Sequence, residues 1–331
     1  VPGLAFGHFA NIITIGDLSI AVSTDGVGTK TIVAQLMDKY DTLGVDCVAM
    51  NVNDVLCLGA WPRTMVDYIA VQRVNPRVLE EIGQGLCEGA RQAQISISGG
   101  ELAQLPEVLS GEEEGLGLDL VGTCVGTLKP GTAITGASVL PGDVVLGLRS
   151  SGIHSNGLTL ARRALGLTPD KSPSIKRRIL ERWVPDLGTT IGEELLKPTR
   201  IYAPEMMRMQ EHRVDIRGLA HITGDGLLNL PRLDAPVGYV IDTPPEPQPI
   251  FQLIQQLGGV SNEEMYEVFN MGIGFCMVVP ESAVEPALEL ARTDGCQAMR
   301  IGYVVEDPTR SVELPSVQLR GWRGRGFQKI L

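Results

Sequence analysis

The order of strand and helix patterns constrains the fold of this chain more than any single motif does. Residues 12–25, "IITIGDLSIAVSTD", predict two strands joined by Gly16-Asp17, a two-residue hairpin turn. Helical patterns follow at 30–40 and 43–58, and the strand "TMVDYIAV" comes next. A helix then begins at Asn75-Pro76. It is followed by the strand "ISIS", which ends at "GGE", and by the strand "LDLVGTCVGTL". This order predicts a mixed sheet with helices on one face.

A second unit follows Lys129-Pro130-Gly131, because the pattern restarts there with the strand "GDVVLGLRS". A polar, basic connection runs through residue 186, and helices then alternate with the strands "RGLAHIT" and "GIGFCMVVP". We predict an α/β (α+β) protein with an N-terminal domain at 1–129, a C-terminal α/β domain at 130–306, and a basic Gly/Arg-containing extension at 307–331.

Composition excludes several classes of protein. The 331 residues are 44% hydrophobic, enough for a large core, and a formal net charge of −11 argues against general binding of nucleic acid. The short run "RGWRGRGF" could bind RNA, but a solvated or interface-packed extension explains it better on an acidic protein. The six cysteines form no C-x-x-C pair, and no apolar run approaches the roughly 20 residues that span a bilayer. We expect a cytoplasmic protein that binds neither nucleic acid nor membrane.

The motif "TDGVGTK" has the glycines and the lysine of a phosphate-binding loop but not their spacing. A P-loop has Gly immediately before Lys, where Thr29 stands, and a dinucleotide fingerprint has a third glycine where Thr31 stands. Gly26 and Gly28 let backbone amides approach a ligand, and Lys30 can supply a positive charge to a phosphate. An ordinary tight turn explains the glycines equally well.

Three acids from separate elements predict a metal site. Asp25 ends a strand, Asp54 lies in the "NVND" helix, and Glu101 follows two glycines. Converging carboxylates repel unless a hard cation lies between them, and Mg²⁺ held by carboxylates and nucleotide phosphates meets that need. Asn51 and Asn53 are poor helix formers in the same apolar helix, which suits a ligand cleft at least as well as a solvated face.

Two glycine-rich loops between strands and helices each carry a histidine. "SSGIHSNG" offers hydroxyls and backbone amides for an anion, more than a helix cap requires, and "AHITGDG" repeats the arrangement in the second domain. A lone histidine is more often structural, but two in such loops indicate phosphate or proton chemistry. The candidate ligand-binding residues of the two loops are Ser151, Gly152, His154, Ser155, Asn156, His221, Thr223 and Gly224.

Seven motifs, in their order and spacing, closely resemble those of one enzyme family. They are "TDGVGTK", "MNVNDVL", "SGGE", "SSGIHSNG", "LLKPTRIY", "AHITGDG" and "EMYEVFNMGIGF". From about residue 3 to residue 305 the chain resembles aminoimidazole ribonucleotide synthetases, also named phosphoribosylformylglycinamidine cyclo-ligases. The resemblance implies an ATP-dependent cyclisation of formylglycinamidine ribonucleotide to aminoimidazole ribonucleotide, with release of ADP and phosphate, in de novo purine biosynthesis.

The resemblance also implies roles for the candidate residues. Asp25, Asp54 and Glu101 would hold Mg²⁺ on the ATP phosphates, with K⁺ as an additional candidate cation, Lys30 would neutralise transferring charge, and Asn53 would position the nucleotide. The loop 150–157 would bind the ribose phosphate or amidine end of the substrate, with His221 and Thr223 in the same cleft. The catalytic candidates are therefore Asp25, Lys30, His154 and His221. A homodimer is implied, in which the N-terminal sheets pair and ATP lies near their interface.

The chain departs from the family pattern at three places. Gln104 stands in "GGELAQLP" where the family usually has Glu, and Asp225 stands in "TGDG" where it usually has Gly. Family members carry a further segment before the equivalent of "GLAFGHFA" that helps to cover ATP. This chain starts at Val1 without an initiator Met, which suggests that its true N-terminus was lost or removed.

Two alternatives remain open from the sequence. One is a non-catalytic relative that binds nucleotide, and the other is a different ATP-dependent phosphoryl-transfer enzyme of the same superfamily. Thiamine-monophosphate kinases lack the "SSGIHSNG" and "PTRIY" pair, and hydrogenase-maturation proteins end in a cysteine, whereas this chain ends in Leu331. Selenophosphate synthetases need a reactive Cys or selenocysteine in a glycine-rich N-terminal loop, and this sequence has no cysteine in such a loop. The cyclo-ligase interpretation therefore accounts for more motifs than either alternative.

Overall fold

The N-terminal half of the chain folds around the hairpin that turns at Gly16-Asp17. The computed structural model describes residues 7–293 and 295–330, so the first six residues of the predicted N-terminal domain lie outside the described part. The strands are β1 (Asn11–Ile15), β2 (Leu18–Gly26), β3 (Trp61–Val71), β4 (Ser96–Gln104) and β5 (Leu118–Leu128). They form one sheet in the order β1-β2-β5-β3-β4, with β3 parallel to β4 and the other neighbours antiparallel. The predicted mixed sheet is confirmed.

The described part of the N-terminal half contains three helices, α1 (Lys30–Met37), α2 (Leu43–Leu56) and α3 (Pro76–Ala93). Helix α1 packs against α2 and against helices of the C-terminal half, whereas α2 and α3 cover one face of the sheet. Every second residue of β5 is buried beneath them, as the alternating pattern of that strand requires. Helix α3 packs very closely against the start of α2 and the residues just before it. A Cβ on Gly44 would lie 2.1 Å from the amide nitrogen of Leu86, and one on Gly85 would lie 2.2 Å from the carbonyl oxygen of Asp41. Glycine is therefore required at both positions.

Strand β4 continues through the glycine pair at which the sequence pattern predicts its end. Gly99 and Gly100 pair with Val66 and Asp67 of β3, and the strand ends at Gln104. A Cβ on Gly100 would lie 2.5 Å from Asp67 Oδ1. Gly100 thus leaves room for the Asp67 carboxylate on β3. Glycine in the interior of a strand often marks such a close approach.

The C-terminal half contains a second, larger sheet and a small two-stranded one. The strands are β6 (Val144–Arg149), β7 (Trp183–Val184), β8 (Thr189–Thr190), β9 (Gly218–His221), β10 (Gly238–Val240), β11 (Ile273–Val279), β12 (Ala298–Val305), β13 (Val312–Leu314), β14 (Leu319–Trp322) and β15 (Gly326–Lys329). The large sheet has the order β15-β14-β13-β10-β12-β6-β11-β9, and β7 pairs with β8. Strand β11 is buried at every position.

The described residues of this half form seven α-helices. They are α4 (Leu158–Ala164), α5 (Pro173–Leu180), α6 (Ile191–Leu195), α7 (Ala203–Glu211), α8 (Pro249–Gly258), α9 (Asn262–Val268) and α10 (Val284–Thr293). Helix α5 lies in the segment that the sequence pattern predicts to be a polar connection. Within the described residues, no helix combines the length and the apolar character needed to cross a bilayer.

Residues 307–330 are part of the C-terminal sheet and not a separate extension. Strands β13, β14 and β15 lie side by side at one end of that sheet, and Val312, Leu314 and Leu319 are fully buried. The strands have only three or four residues each, which is too short for a clear alternating pattern among the glycines and arginines. The boundary predicted at residue 306 therefore falls inside the domain.

A buried ion pair joins the two halves of the molecule. The Lys30 ammonium lies 2.8 Å from the Asp46 carboxylate, and both side chains are inaccessible to solvent. Asp46 Oδ1 also accepts hydrogen bonds from the amide and the hydroxyl of Thr199, each at 2.7 Å. Lys30 donates to the carbonyl oxygen of Lys197 at 2.6 Å. A pair of charges from the first domain is thus completed by the segment that precedes α7 in the second.

We predict that Asp46→Asn lowers the free energy of unfolding by about 3–5 kcal/mol, because Lys30 would be left buried without a counter-ion. Denaturant unfolding followed by circular dichroism measures the change. Glu88→Gln is the matched control, since it removes the partner of Arg91 in an exposed ion pair on α3 and should leave the unfolding free energy nearly unchanged. Equal effects of the two variants would contradict a structural role for the buried pair.

Candidate active site

The ends of several elements surround a cleft of about 600 Å³. Asp25 lies near the end of β2, Asp54 near the end of α2, and Thr223 in the loop after β9. Residues 7–11 and Arg232 complete the wall. Both domains therefore contribute to the cleft, and two of the three predicted metal ligands face it.

Asn51 of helix α2 holds the backbone of Asp25 in place at the edge of the cleft. The Asn51 side-chain oxygen accepts from the Asp25 amide at 2.8 Å, and its nitrogen donates to the Asp25 carbonyl oxygen at 3.0 Å. The same nitrogen donates to the Cys47 carbonyl oxygen at 2.8 Å. Asn51 is fully buried, so this polar residue in an apolar helix is explained by fixing the end of β2 and not by contact with a ligand.

His221 orients the carboxylate of Asp54. Its Nδ1 donates to Asp54 Oδ1 at 3.0 Å, and the ring is inaccessible to solvent. Ser23 donates to the other carboxylate oxygen at 3.4 Å. Because His221 is buried, it cannot reach a molecule in the cleft in this arrangement, and its predicted catalytic role is replaced by a positioning role. Such carboxylate–histidine pairs commonly orient a metal ligand.

The two carboxylates of the cleft fit a hard cation. Burial raises the pKa of Asp25 above its usual range, a hydrogen bond from the Gly26 amide opposes this, and the nearby Asp54 raises the pKa further. The charged form of Asp25 is thus costly in the protein alone, and a divalent cation between the two acids would remove that cost. We therefore find Asp25 and Asp54 suited to hold Mg²⁺.

Glu101 does not join these acids, which corrects the predicted cluster of three. Asp25, Gly122 of β5, Asp67 and Gly100 are paired in one row across the sheet, and a Cβ on Gly122 would meet α2. Glu101 follows Gly100, so its side chain points to the opposite, uncovered face. Among residues 7–293 and 295–330, no three Asp, Glu, His or Cys side chains form a metal-binding group.

Asp67 is an acid that sequence reasoning missed. It lies in the row of Asp25 on the helix-covered face, is half-buried, and burial raises its pKa. The available signal was a charged residue in the apolar strand "TMVDYIAV" opposite a glycine pair. The strand–helix–strand order of β3, α3 and β4 favours parallel pairing but does not give the register, so the match of Asp67 with Gly100 was not visible.

Lys30 and Asn53 do not line the cleft. Lys30 is occupied by Asp46 and by backbone carbonyls, and burial lowers its pKa while Asp46 opposes that change. Asn53 is fully buried, donates to the Arg200 carbonyl oxygen at 2.8 Å and accepts from the Tyr202 amide at 3.1 Å. Both residues therefore connect the domains, and their predicted roles at the phosphates and at the nucleotide are not supported by their positions.

His154 is likewise a structural residue of its loop. It has a φ of +62° and is 1% exposed, and its Nε2 accepts from the Ser151 amide at 3.2 Å. Burial, with His221, Lys30 and Arg200 nearby, lowers the pKa of His154 well below its usual range. The ring is therefore neutral and inaccessible to solvent, and the predicted catalytic role has no support in the geometry.

The remaining residues of this loop divide between backbone contacts and a second cavity. Ser151 donates from its hydroxyl to the Pro198 carbonyl oxygen at 2.5 Å, and the Gly152 carbonyl oxygen accepts from Asn270 at 2.9 Å. Ser155 and Asn156 instead line a groove of about 460 Å³. The first two residues hold the loop, and the last two are available to a ligand.

The groove adjoins the cleft. Thr29, Ser155, Asn156 and Arg163 line it, and Thr29 follows Asp25 closely in the chain. Asn156 Nδ2 is buried and lacks a hydrogen-bond partner within the described residues. A Cβ on Gly224 would lie 4.0 Å from Asn156 Oδ1, so the loop that carries Thr223 into the cleft also contacts the groove. The groove and the cleft are therefore separated by two short loops.

Backbone conformation explains the glycines of these loops and one departure from the family pattern. Gly28 has a φ of +66°, a conformation that favours glycine, whereas Gly26 lies in β2 with Val121 3.3 Å from the position of a Cβ. Asp225, where the family usually has glycine, has a φ of +74°. Aspartate tolerates this left-handed region better than most residues, so the substitution is compatible with the same turn.

Arg232 was not identified from the sequence, although it organises one wall of the cleft. Its guanidinium donates to the carbonyl oxygens of Gly7 and His8 at 3.0 and 2.8 Å, and lies 4.0 Å from the centroid of the Phe9 ring. Asn229, one turn earlier, accepts from Arg232 and donates to the Gly224 carbonyl oxygen. The stretch "NLPR" thus fixes residues 7–9 and the loop 223–226 together, and only the tertiary structure reveals that link.

Two family models match most of the chain. Residues 7–128 match the N-terminal domain of AIR synthase related proteins, and residues 141–314 match the C-terminal domain of the same family. A protein of Methanothermobacter thermautotrophicus named phosphoribosylformylglycinamidine cyclo-ligase is 49% identical over 91% of this chain and 84% of its own length. A protein of Methanocaldococcus jannaschii with the same name is 46% identical over 90% of this chain and 82% of its own length.

Solved structures show the same architecture at greater sequence distance. The hydrogenase maturation protein HypE in complex with ATP matches with a TM-score of 0.64 and 18% identity, over 96% of this chain and 86% of that protein. At that identity the likeness shows the fold alone. The domain matches and the identities above 45% decide the family, in agreement with the motifs: this chain belongs to the AIR synthase related family and, within it, to the phosphoribosylformylglycinamidine cyclo-ligases.

Proposed function

We propose that this chain catalyses the ATP-dependent cyclisation of formylglycinamidine ribonucleotide to aminoimidazole ribonucleotide, with release of ADP and phosphate. The observation that carries the proposal is the acidic cleft beside a groove that offers Asn156 and Arg163, since the reaction requires a nucleotide and a second substrate to meet in one orientation. The names of relatives at 49% and 46% identity support the same step of purine biosynthesis.

In the cleft, the residues of this chain bind and orient the nucleotide. Asp25 and Asp54 would hold Mg²⁺, which when bound neutralises charge on the ATP phosphates. Asn51 keeps Asp25 at the end of β2, and His221 keeps Asp54 directed into the cleft. Phosphoryl transfer depends mainly on such positioning and charge stabilisation, so these fixed contacts are the chain's main contribution.

In the groove, the substrate would be held by side chains of the loop before α4 and of α4 itself. Arg163 supplies a positive charge for the ribose phosphate, and Asn156 supplies a buried donor that lacks a protein partner within the described residues. The amide oxygen of the substrate receives the terminal phosphoryl group of ATP. A ring-forming nitrogen then attacks the carbon that bears this oxygen and loses a proton. The bond between that carbon and the phosphorylated oxygen breaks, and phosphate leaves.

The proposal includes a homodimer formed through the N-terminal sheet. The face of that sheet opposite the helices carries Ile13, Ile15, Val66 and Tyr68, which are 51, 62, 43 and 38% exposed. An apolar strip of this kind on an uncovered sheet face favours a second copy as its partner. Glu101 lies on the same face, so it would be near the partner and not in the cleft of its own subunit. A cytoplasmic location agrees with five buried, unpaired cysteines.

A coupled assay distinguishes this function from the two alternatives. Purified protein with ATP and Mg²⁺, with and without K⁺, should release ADP only when formylglycinamidine ribonucleotide is present. ATP binding without turnover would favour a non-catalytic relative. ADP release with a different phosphoryl acceptor, and none with the amidine substrate, would favour another member of the superfamily.

We predict that Asp25→Asn lowers turnover by about 10²–10³-fold, the loss typical for one electrostatic catalytic group, while the fold remains intact. The amide keeps the size of the side chain but removes the charge that would balance a cation. Steady-state ADP release measures turnover, and circular dichroism checks the fold. Asp242→Asn, at an exposed position of the C-terminal domain, is the control and should retain full activity. Wild-type turnover in Asp25→Asn would show that the cleft is not the nucleotide site.

We predict that Arg232→Gln raises the KM for ATP by about tenfold or more, because the charge-assisted contacts that hold residues 7–9 against the cleft are lost. The KM for the amidine substrate should change little, since the groove does not include this residue. Initial rates at varied concentrations of each substrate separate the two constants. Arg325→Gln, an exposed arginine of the β14–β15 turn, serves as the control. A parallel rise of both KM values would contradict a role of Arg232 that is confined to the cleft.

A further inference from the structure

A second cavity lies at the opposite end of β2 from Asp25. It has a volume of about 570 Å³ and is formed by the β1–β2 turn, the start of β3, the end of β5, the linker between the domains and the end of α7. Seven residue steps along β2 separate Leu18, which lines this cavity, from Asp25, a distance of about 23 Å. The cavity, which we call the junction pocket, is therefore distinct from the cleft and the groove.

The junction pocket is positively charged on an acidic protein. Arg63, Lys129 and Arg213 line it, against one acid, Asp17, while the whole chain carries a net charge of −11. The side chains of Lys129 and Arg213 make no ion pair or hydrogen bond within the part of the chain that the structure describes. Two unpaired cations that converge with a third on one cavity favour an anionic ligand.

Arg63 is held in position to contribute to that site. Its Nε donates to the Thr127 hydroxyl at 2.9 Å, and its guanidinium carbon lies 5.7 Å from the centroid of the Trp61 ring. These contacts leave the terminal nitrogens of the guanidinium for a ligand, and a planar guanidinium suits the oxygens of a phosphate or a carboxylate. Because the Arg63 side chain is already held, it loses less conformational freedom on ligand binding than an unconstrained arginine would.

The rest of the lining is largely apolar and includes an aromatic ring. Leu18, Trp61, Ile134 and Val214 supply this part of the surface. Trp61 is half-buried, so one part of its indole remains accessible to a ligand. Aromatic rings stack on tryptophan, and the cations beside it would bind an attached charged group. The combination fits a flat ligand with a phosphate at one end.

Backbone contacts hold the walls of the pocket in place. The Ile134 amide donates to the Leu58 carbonyl oxygen at 3.0 Å, and the Gln210 side chain donates to the Gly59 carbonyl oxygen at 2.8 Å. Gly59 has a φ of +68°, and a Cβ there would lie 2.9 Å from the Ile134 side chain. Protein contacts alone thus fix the walls of the pocket, and these walls come from both domains.

We propose that the junction pocket binds an aromatic phosphate monoester of the size of a nucleoside monophosphate. The aromatic group lies against Trp61, and the phosphate lies among Arg63, Lys129 and Arg213. Because the N-terminal domain, the linker and α7 all contact the ligand, its binding stabilises the folded arrangement of the two domains. This site is independent of the proposed reaction, so it can be tested whether or not the chain cyclises the amidine substrate.

Trp61 provides the test, since the chain has three tryptophans. In a Trp183→Phe/Trp322→Phe double variant, AMP should change the fluorescence of Trp61 in a saturable manner. The titration is made with ADP and Mg²⁺ at saturating concentration to fill the cleft. If the double variant does not fold, the difference between the wild-type chain and Trp61→Phe gives the same signal. Absence of any saturable change in Trp61 would overturn the proposal.

Charge variants identify the binding residues. Arg213→Ala and Lys129→Ala should each weaken AMP binding about tenfold, whereas Asp17→Asn, the matched control in the same pocket, should leave it equal or tighter. The rise in melting temperature that AMP causes in the wild-type chain should disappear in the Arg63→Ala/Arg213→Ala double variant. Unchanged affinity in the alanine variants would contradict the site. Equal affinity for inorganic phosphate would contradict the role of the aromatic group.

Discussion

The structure depends on the buried ion pair between Lys30 and Asp46. Two charges without access to water need further hydrogen bonds besides their mutual attraction, and here Thr199 donates two to Asp46 while the Lys197 carbonyl oxygen accepts one from Lys30. Those partners come from the other domain. The position of the second domain is therefore set by a requirement of the first, and the cleft between Asp25 and Thr223 follows from that position.

Helix α2 distributes four polar residues to four different tasks. Asp46 neutralises Lys30, Asn51 fixes the end of β2, Asn53 binds the backbone before α7, and Asp54 faces the cleft. In an apolar helix each would be unfavourable without its partner. A helix that is buried on all sides can thus carry both the contacts between domains and an acid that faces the cleft, because its successive residues face different neighbours.

The fold and the family could be predicted from the sequence, because the strand and helix periods are strong and seven motifs agree in order. Asp25 and Asp54 line one cleft, and their role as metal ligands stays a prediction. The roles of Lys30, His154 and His221 could not be predicted, since exposed and buried positions in a glycine-rich loop have the same sequence pattern. Glu101 was misplaced because successive side chains of a strand point to opposite faces of the sheet. The sequence did not show that β4 continues through Gly99 and Gly100, so the face of Glu101 could not be assigned.

The contact between Arg323 and the Gly7 carbonyl oxygen joins residues 316 positions apart beside the cleft. At a translation rate of about 5–20 residues per second, roughly 15–60 seconds separate the synthesis of these two residues. Strands β1 and β2 therefore emerge from the ribosome well before β14 and β15. The wall of the cleft that contains Gly7 therefore gains this contact only after Arg323 has been synthesised, and a chain that stops before β14 would lack it.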